Sequence, residues 1–118
     1  MKLVVFSESA GFRKQVEDLL NSTSHQAEAR GLSDMLAKGR AGGFDATLVD
    51  YESWQRCAAV LRYFDCLDAV NQKPMVVFSK SRKAPPLKLR RARTVTANCP
   101  MPIQSEDFQS ALQQISAG

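Results

Sequence analysis

The 118-residue chain is long enough for one domain with a real hydrophobic core and too short for two. Its 44% apolar and 24% charged content is ordinary for a soluble globular protein, and no apolar run approaches membrane-spanning length. The net charge of +4 is unevenly spread: Lys80 to Arg93 holds seven Lys or Arg in fourteen residues and no acid, which leaves nine basic against twelve acidic residues elsewhere.

In chain order, "KLVVFS" (2–7) is a short continuous apolar run and reads as a buried strand. "GFRKQVEDLLNS" (11–22) places Phe12, Val16, Leu19 and Leu20 on one face of a helix. "SHQAEARG" (24–31) is polar enough for an edge strand. "SDMLAKG" (33–39) offers Ser33 or Asp34 as N-cap of a short helix, with Gly39 as its stop. The glycines of "RAGGF" (40–44) form a loop and lack the spacing of a phosphate-binding cradle. "ATLVDY" (46–51) is a second buried strand, and "SWQRCAAVLRYFDCLDAV" (53–70) carries apolar residues at three- and four-residue steps, so it predicts one helix.

After Pro74, "MVVFS" (75–79) is a third buried strand. Pro85 and Pro86 break the basic stretch, and "LKLRRAR" (87–93) has room for about two helical turns. "TVTANC" (94–99) is a β-branched strand that "PMP" (100–102) should break. Ser105 is expected to cap a last helix with Phe108, Leu112 and Ile115 on its buried face. Strands and helices therefore alternate throughout, which predicts a single doubly wound α/β domain over residues 1–118, its parallel sheet covered by helices on both faces.

Three cysteines, Cys57, Cys66 and Cys99, are odd in number and widely spaced. That pattern predicts reduced thiols and a cytoplasmic protein rather than a disulfide framework or a zinc site. The opening residues hold one Lys and the four apolar residues Leu3 to Phe6, too few for a secretory leader. "QQISAG" follows closely on the last helix, so the domain could stand free or open a longer regulator. His25 is the sole histidine and is expected to be exposed; Cys57 and Cys66 are expected on a core-facing helix, and Trp54 in packing.

Open parallel sheets bind ligands beyond the carboxyl ends of their strands, where strand order reverses. Those ends carry Ser7 and Glu8, Asp50, Ser79, and Cys99 before Pro100. At these residues the sequence resembles the receiver domains of bacterial two-component response regulators. "KLVVFSESAGFRKQVEDLL" is similar to a receiver's first strand and helix, "FDATLVD" to the strand with the phosphoryl-accepting Asp, and "KPMVVFSKS" to the strand with the Ser/Thr switch. "TANCP" stands in the place of the family's Lys-Pro pair.

The resemblance implies a flavodoxin-like five-stranded sheet of order 2-1-3-4-5. It also implies that Asp50 is the phosphoacceptor, that Glu8, Asp50 and the Glu52 carbonyl ligate Mg²⁺, and that Ser79 is the switch hydroxyl. The partners would be a histidine kinase or a downstream regulator, with a homodimer as a further option.

The departures imply a degenerate, pseudo-receiver-like site. Ser7 stands where receivers carry the first of two acids, Cys99 stands where they carry Lys, and Lys80 follows the switch hydroxyl in place of a small residue. "YESWQ" replaces the usual Met-Pro turn and Gly. Each missing charge-stabilising group weakens phosphoryl transfer by roughly 3 kcal/mol. Lys80 is a candidate substitute cation, reaching back to Asp50 or Glu8.

The basic residues Lys80, Arg82, Lys83, Lys88, Arg90, Arg91 and Arg93 fall where receivers present their output face and predict a partner-binding surface. The alternative is a module that grips nucleic acid or an anionic nucleotide with residues 80–93, although no aromatic is interleaved for base stacking. A catalytic role is least supported: no His neighbours a nucleophile, and no cofactor fingerprint is present.

Overall fold

The computed structural model describes residues 1–21, 23, 25–27, 37, 40–57, 59–60, 63, 66–67, 73–80 and 96–117. The apolar runs form strands β1 (Lys2–Phe6), β3 (Ala46–Asp50) and β4 (Met75–Ser79), with β5 (Thr96–Pro100) and a two-residue β2 (Gln26–Ala27) at the edges. All pair in parallel in the order β2-β1-β3-β4-β5. The chain thus leaves β1 toward one edge and returns past it to build the other, which puts the switch point between β1 and β3.

Alternation along the strands sorts the core into two layers. Leu3, Val5, Leu48, Val76, Phe78, Ala97 and Cys99 face one side, where α1 (Ala10–Leu20) buries Phe12, Val16 and Leu20. The last helix, α3 (Ser105–Ala117), adds Phe108, Ala111, Leu112 and Ile115 to the same layer. Val4, Phe6, Val49, Met75 and Val77 face the other side, packed on Phe44 and on Trp54 of α2 (Tyr51–Arg56). The fold is the doubly wound, flavodoxin-like α/β architecture, with helices on both faces.

Four local expectations are corrected. The helix after β3 starts at Tyr51, two residues early, because the Asp50 side chain accepts the Glu52 N–H and caps it directly. Pro100 does not stop β5 but ends it, paired with Ser79; an edge strand has a free side that needs no N–H. Gln104, not Ser105, holds the cap of α3, since its carbonyl accepts the Phe108 N–H at 3.0 Å. Cys66 is exposed rather than core-facing. The second predicted helix (33–39), apart from Ala37, and most of the stretch 58–72 lie outside the described residues.

Gly42 and Gly43 turn the chain into Phe44 with φ of 73° and 80°, a region that L side chains enter only with strain. His25, expected to be exposed, is half-buried with its Nδ1 2.8 Å from the Met1 amino group. Burial first, and then that ammonium charge, lower its pKa. No described helix is long and apolar enough to cross a membrane.

Phe78 anchors the larger layer. It is fully buried, meets Phe12 edge-on at 5.1 Å between ring centroids and lies 6.0 Å from Phe108. Phe78→Ala should therefore cost about 3–5 kcal/mol, seen as a lower urea midpoint with an unchanged slope. A loss below about 1 kcal/mol would mean that the neighbouring helices close over the gap.

Candidate functional site

The carboxyl ends of β1, β3 and β4 bring Ser7, Asp50 and Ser79 to one rim. Asp50 is at once the last residue of β3 and the N-cap of α2, with no loop between. It is 8% exposed. Its Oδ1 accepts the Glu52 N–H at 3.2 Å, and its Oδ2 accepts the hydroxyls of Ser7 and Ser53, each at 3.0 Å.

An ionised carboxylate only accepts, so each serine gives its one proton to Asp50 and must accept elsewhere. Both do: Ser7 Oγ takes the Ser9 N–H at 3.0 Å and Ser53 Oγ takes the Glu8 N–H at 2.9 Å. The Arg13 guanidinium also donates to the Ser7 carbonyl at 2.6 Å, which fixes the end of β1. The result is a closed network that ties the β1–α1 turn to the first turn of α2.

A ring of charged side chains surrounds this network. Glu8 Oε1 accepts the Cys57 thiol at 2.7 Å, while its Oε2 lies 3.8 Å from Arg56. The other end of the Arg56 guanidinium is 4.0 Å from Glu52, one helical turn back, and Glu52 Oε1 lies 3.4 Å from the Lys80 ammonium. Lys80 thus pairs with Glu52, where reach toward Asp50 or Glu8 was expected. The other six residues of the basic stretch, Arg82, Lys83, Lys88, Arg90, Arg91 and Arg93, lie outside the described residues.

Ser79 donates its hydroxyl to Asn98 Oδ1 on β5 at 3.1 Å, and its carbonyl accepts the Met101 N–H at 2.7 Å. Between these groups opens a cleft of about 380 Å³ with Phe12, Tyr51, Phe78 and Met101 on its apolar walls and Asp50, Glu52, Ser79 and Lys80 among its polar ones. Cys99 does not face it. The thiol is fully buried in the α1/α3 layer, and it is Met101, two residues on, that reaches the cleft. Met101 precedes Pro102 in a second X-Pro pair, joined by a cis peptide bond, and brings no cation either.

The side chains expected to hold Mg²⁺ do not fit that ion as they stand. Both oxygens of Asp50 already carry donors, and both oxygens of Glu8 are engaged by Cys57 and Arg56. Among the described residues, no group of three or more His, Cys, Asp or Glu side chains is placed to hold a metal ion.

Ser53, Arg56, Asn98 and Met101 were not singled out from the sequence. Two left a signal there: Ser53 stands three residues after a strand-end Asp, within reach of a capping carboxylate, and Arg56 follows Glu52 at the four-residue step of a helical ion pair.

Solved structures that share this fold include receiver-type proteins from different organisms. Chemotaxis protein CheY4 of Vibrio cholerae superposes with a TM-score of 0.75 at 16% identity, covering 97% of each chain. A CheY-like response regulator receiver domain from Methylobacillus flagellatus gives 0.72 at 17% identity over 98% of each chain. One from Methanospirillum hungatei gives 0.62 at 14% identity, over 98% of this chain and 94% of that one. The chain has the CheY-like receiver fold. No family model matches the sequence, and no curated protein matches it.

Two measurements follow from the network and the thiols. Asp50→Ala removes a helix cap and leaves two buried hydroxyls without their acceptor, so it should destabilise the domain by about 2–3 kcal/mol. A rim of unpaired acids would instead be relieved by losing one; a higher urea midpoint for Asp50→Ala would show that situation.

Burial, and then the charge of Asp107, push the Cys99 thiol up to about 11. The hydrogen bond to Glu8, then burial and the Glu8 charge, do the same to Cys57, against the pull of Arg56. The folded chain keeps these protons where the unfolded chain loses them, so stability should fall as pH rises from about 9 to about 11. At pH 8, iodoacetamide should label the exposed Cys66 first and Cys99 only at the rate of unfolding, read by mass spectrometry.

Proposed function

We propose that this chain is a signal-transduction domain of the two-component receiver type, degenerate at its phosphorylation site, which acts by protein–protein contact with a histidine kinase or a downstream regulator. The single observation that carries this reading is the state of Asp50. It occupies the acceptor position at the end of β3, yet the three donors on it among the described residues are uncharged.

Phosphoryl transfer to an aspartate needs a free carboxylate oxygen and cations to balance the transferred charge. Here three neutral donors already sit on the carboxylate, and Met101 supplies no cation at the rim. Mg²⁺ binding through Glu8, Asp50 and the Glu52 carbonyl is accordingly weak in this proposal, and Ser79 serves to hold Asn98 rather than to receive a phosphoryl oxygen. The contact surface in this reading is the basic stretch Lys80–Arg93, which begins at the exposed Lys80.

That same stretch favours a second reading, a module binding nucleic acid or an anionic nucleotide through residues 80–93. The charge density supports it, and a steep loss of binding with added salt would be its signature.

The test is an amide NMR titration of wild type and Asp50→Ala with Mg²⁺, then with Mg²⁺ and beryllofluoride. The expected result is no Asp50-dependent response at millimolar metal. Asp50-dependent shifts spreading from Glu8 and Ser79 toward the basic residues would instead establish a working phospho-switch and overturn the degenerate reading.

A further inference from the structure

We propose that Arg56 is the resident cation of this rim and that it keeps a divalent ion away from the acids around Asp50. The inference rests on the degenerate reading above and adds to it the residue that enforces the exclusion.

Arg56 closes α2, one turn after Glu52. Its planar guanidinium offers donors in a fixed fork, and the two ends reach acids on different segments: Glu8 of the β1–α1 turn at 3.8 Å and Glu52 of α2 at 4.0 Å. The second oxygen of Glu8 is taken by the neighbouring Cys57 thiol at 2.7 Å. Both contacts draw the Glu8 carboxylate toward the end of α2, while Asp50 is held at the start of that helix by Ser7 and Ser53.

Mg²⁺ takes oxygen ligands at about 2.0–2.1 Å in near-ideal octahedral geometry. To bring Glu8 and Asp50 onto one such ion, Glu8 must leave Arg56 and Cys57, which hold it toward the end of α2. The incoming dication would also face the charge of Arg56 itself.

The Arg56 side chain is 69% exposed, so its ion pairs add little to folding stability. Its effect is local: it sets a positive charge beside Glu8, the acid a metal would otherwise recruit, while Glu52 also pairs with Lys80 at 3.4 Å. Arg56 is therefore a metal-excluding residue, and removing its charge should open the rim rather than unfold the domain.

The experiment is a MgCl₂ titration of wild type, Arg56→Gln and the double variant Arg56→Gln/Glu8→Gln. It is followed by the amide shifts of Glu8, Asp50 and Glu52 and by the fluorescence of Trp54, with far-UV circular dichroism as the check on folding. Arg56→Gln should bind Mg²⁺ roughly two- to fivefold more tightly than wild type at low salt, and the double variant should lose that gain.

Equal responses of wild type and Arg56→Gln, or a gain that survives Glu8→Gln, would overturn the proposal. The two readings fail separately. An Asp50-dependent response of wild type to Mg²⁺ and beryllofluoride removes the degenerate reading, whereas silence from wild type and Arg56→Gln alike removes only the role of Arg56.

Discussion

The arrangement of this rim depends on one buried carboxylate and the hydroxyls it accepts. Asp50 satisfies an N–H that the first turn of α2 would otherwise leave open, and through Ser7 and Ser53 it draws the β1–α1 turn onto that helix. Bonds to a charged acceptor are worth roughly 1.5–3 kcal/mol each, while desolvating the charge costs several kcal/mol. The two come close to cancelling. What the network contributes is therefore chiefly position: with Ser9 and Glu8 N–H groups on the same two serines, each atom in it has a defined partner.

That use of the carboxylate competes with reactivity. A nucleophilic oxygen has to be free at the moment of attack, and a charge delivered onto it has to be met by cations already in place. Around Asp50, Met101 brings no cation to the cleft, and the rim cations among the described residues, Arg56 and Lys80, pair with Glu8 and Glu52. Neutral donors hold a carboxylate well and balance a phosphoryl group poorly.

The sheet was legible because a strand buried on both faces reads as an unbroken apolar run, as "LVVF" and "MVVF" do. Phe12, Val16 and Leu20 were legible by helical period. The ends of elements were not. Cys99 and Met101 both pack on the α1/α3 layer, and each precedes a proline. Only the actual end of the strand decides which one reaches the cleft, and Pro100 looked like a stop where an edge strand accepts it. The start of α2 is hidden for a related reason: an Asp at a strand end reads equally as a reactive group and as the cap of a helix that begins at the next residue. Arg56 and Glu8 stand 48 positions apart, so no local pattern announces their pairing; it follows from β1 and β3 lying side by side.

Fold and chemistry separate cleanly in this molecule because they draw on different residues. The two apolar layers contain Phe78, Leu48, Val4, Trp54 and their neighbours, and these set the topology whatever stands at the rim. Glu8, Glu52, Arg56 and Lys80 are largely exposed, and exposed charges can be exchanged at small cost to stability. A TM-score of 0.75 at 16% identity shows a shared fold, and a fold by itself does not fix the chemistry of its rim. Asp50 is the exception, since here the same side chain serves both. The capping of α2 accounts for its place at the end of β3, so its presence there is not by itself a sign of phosphoryl transfer.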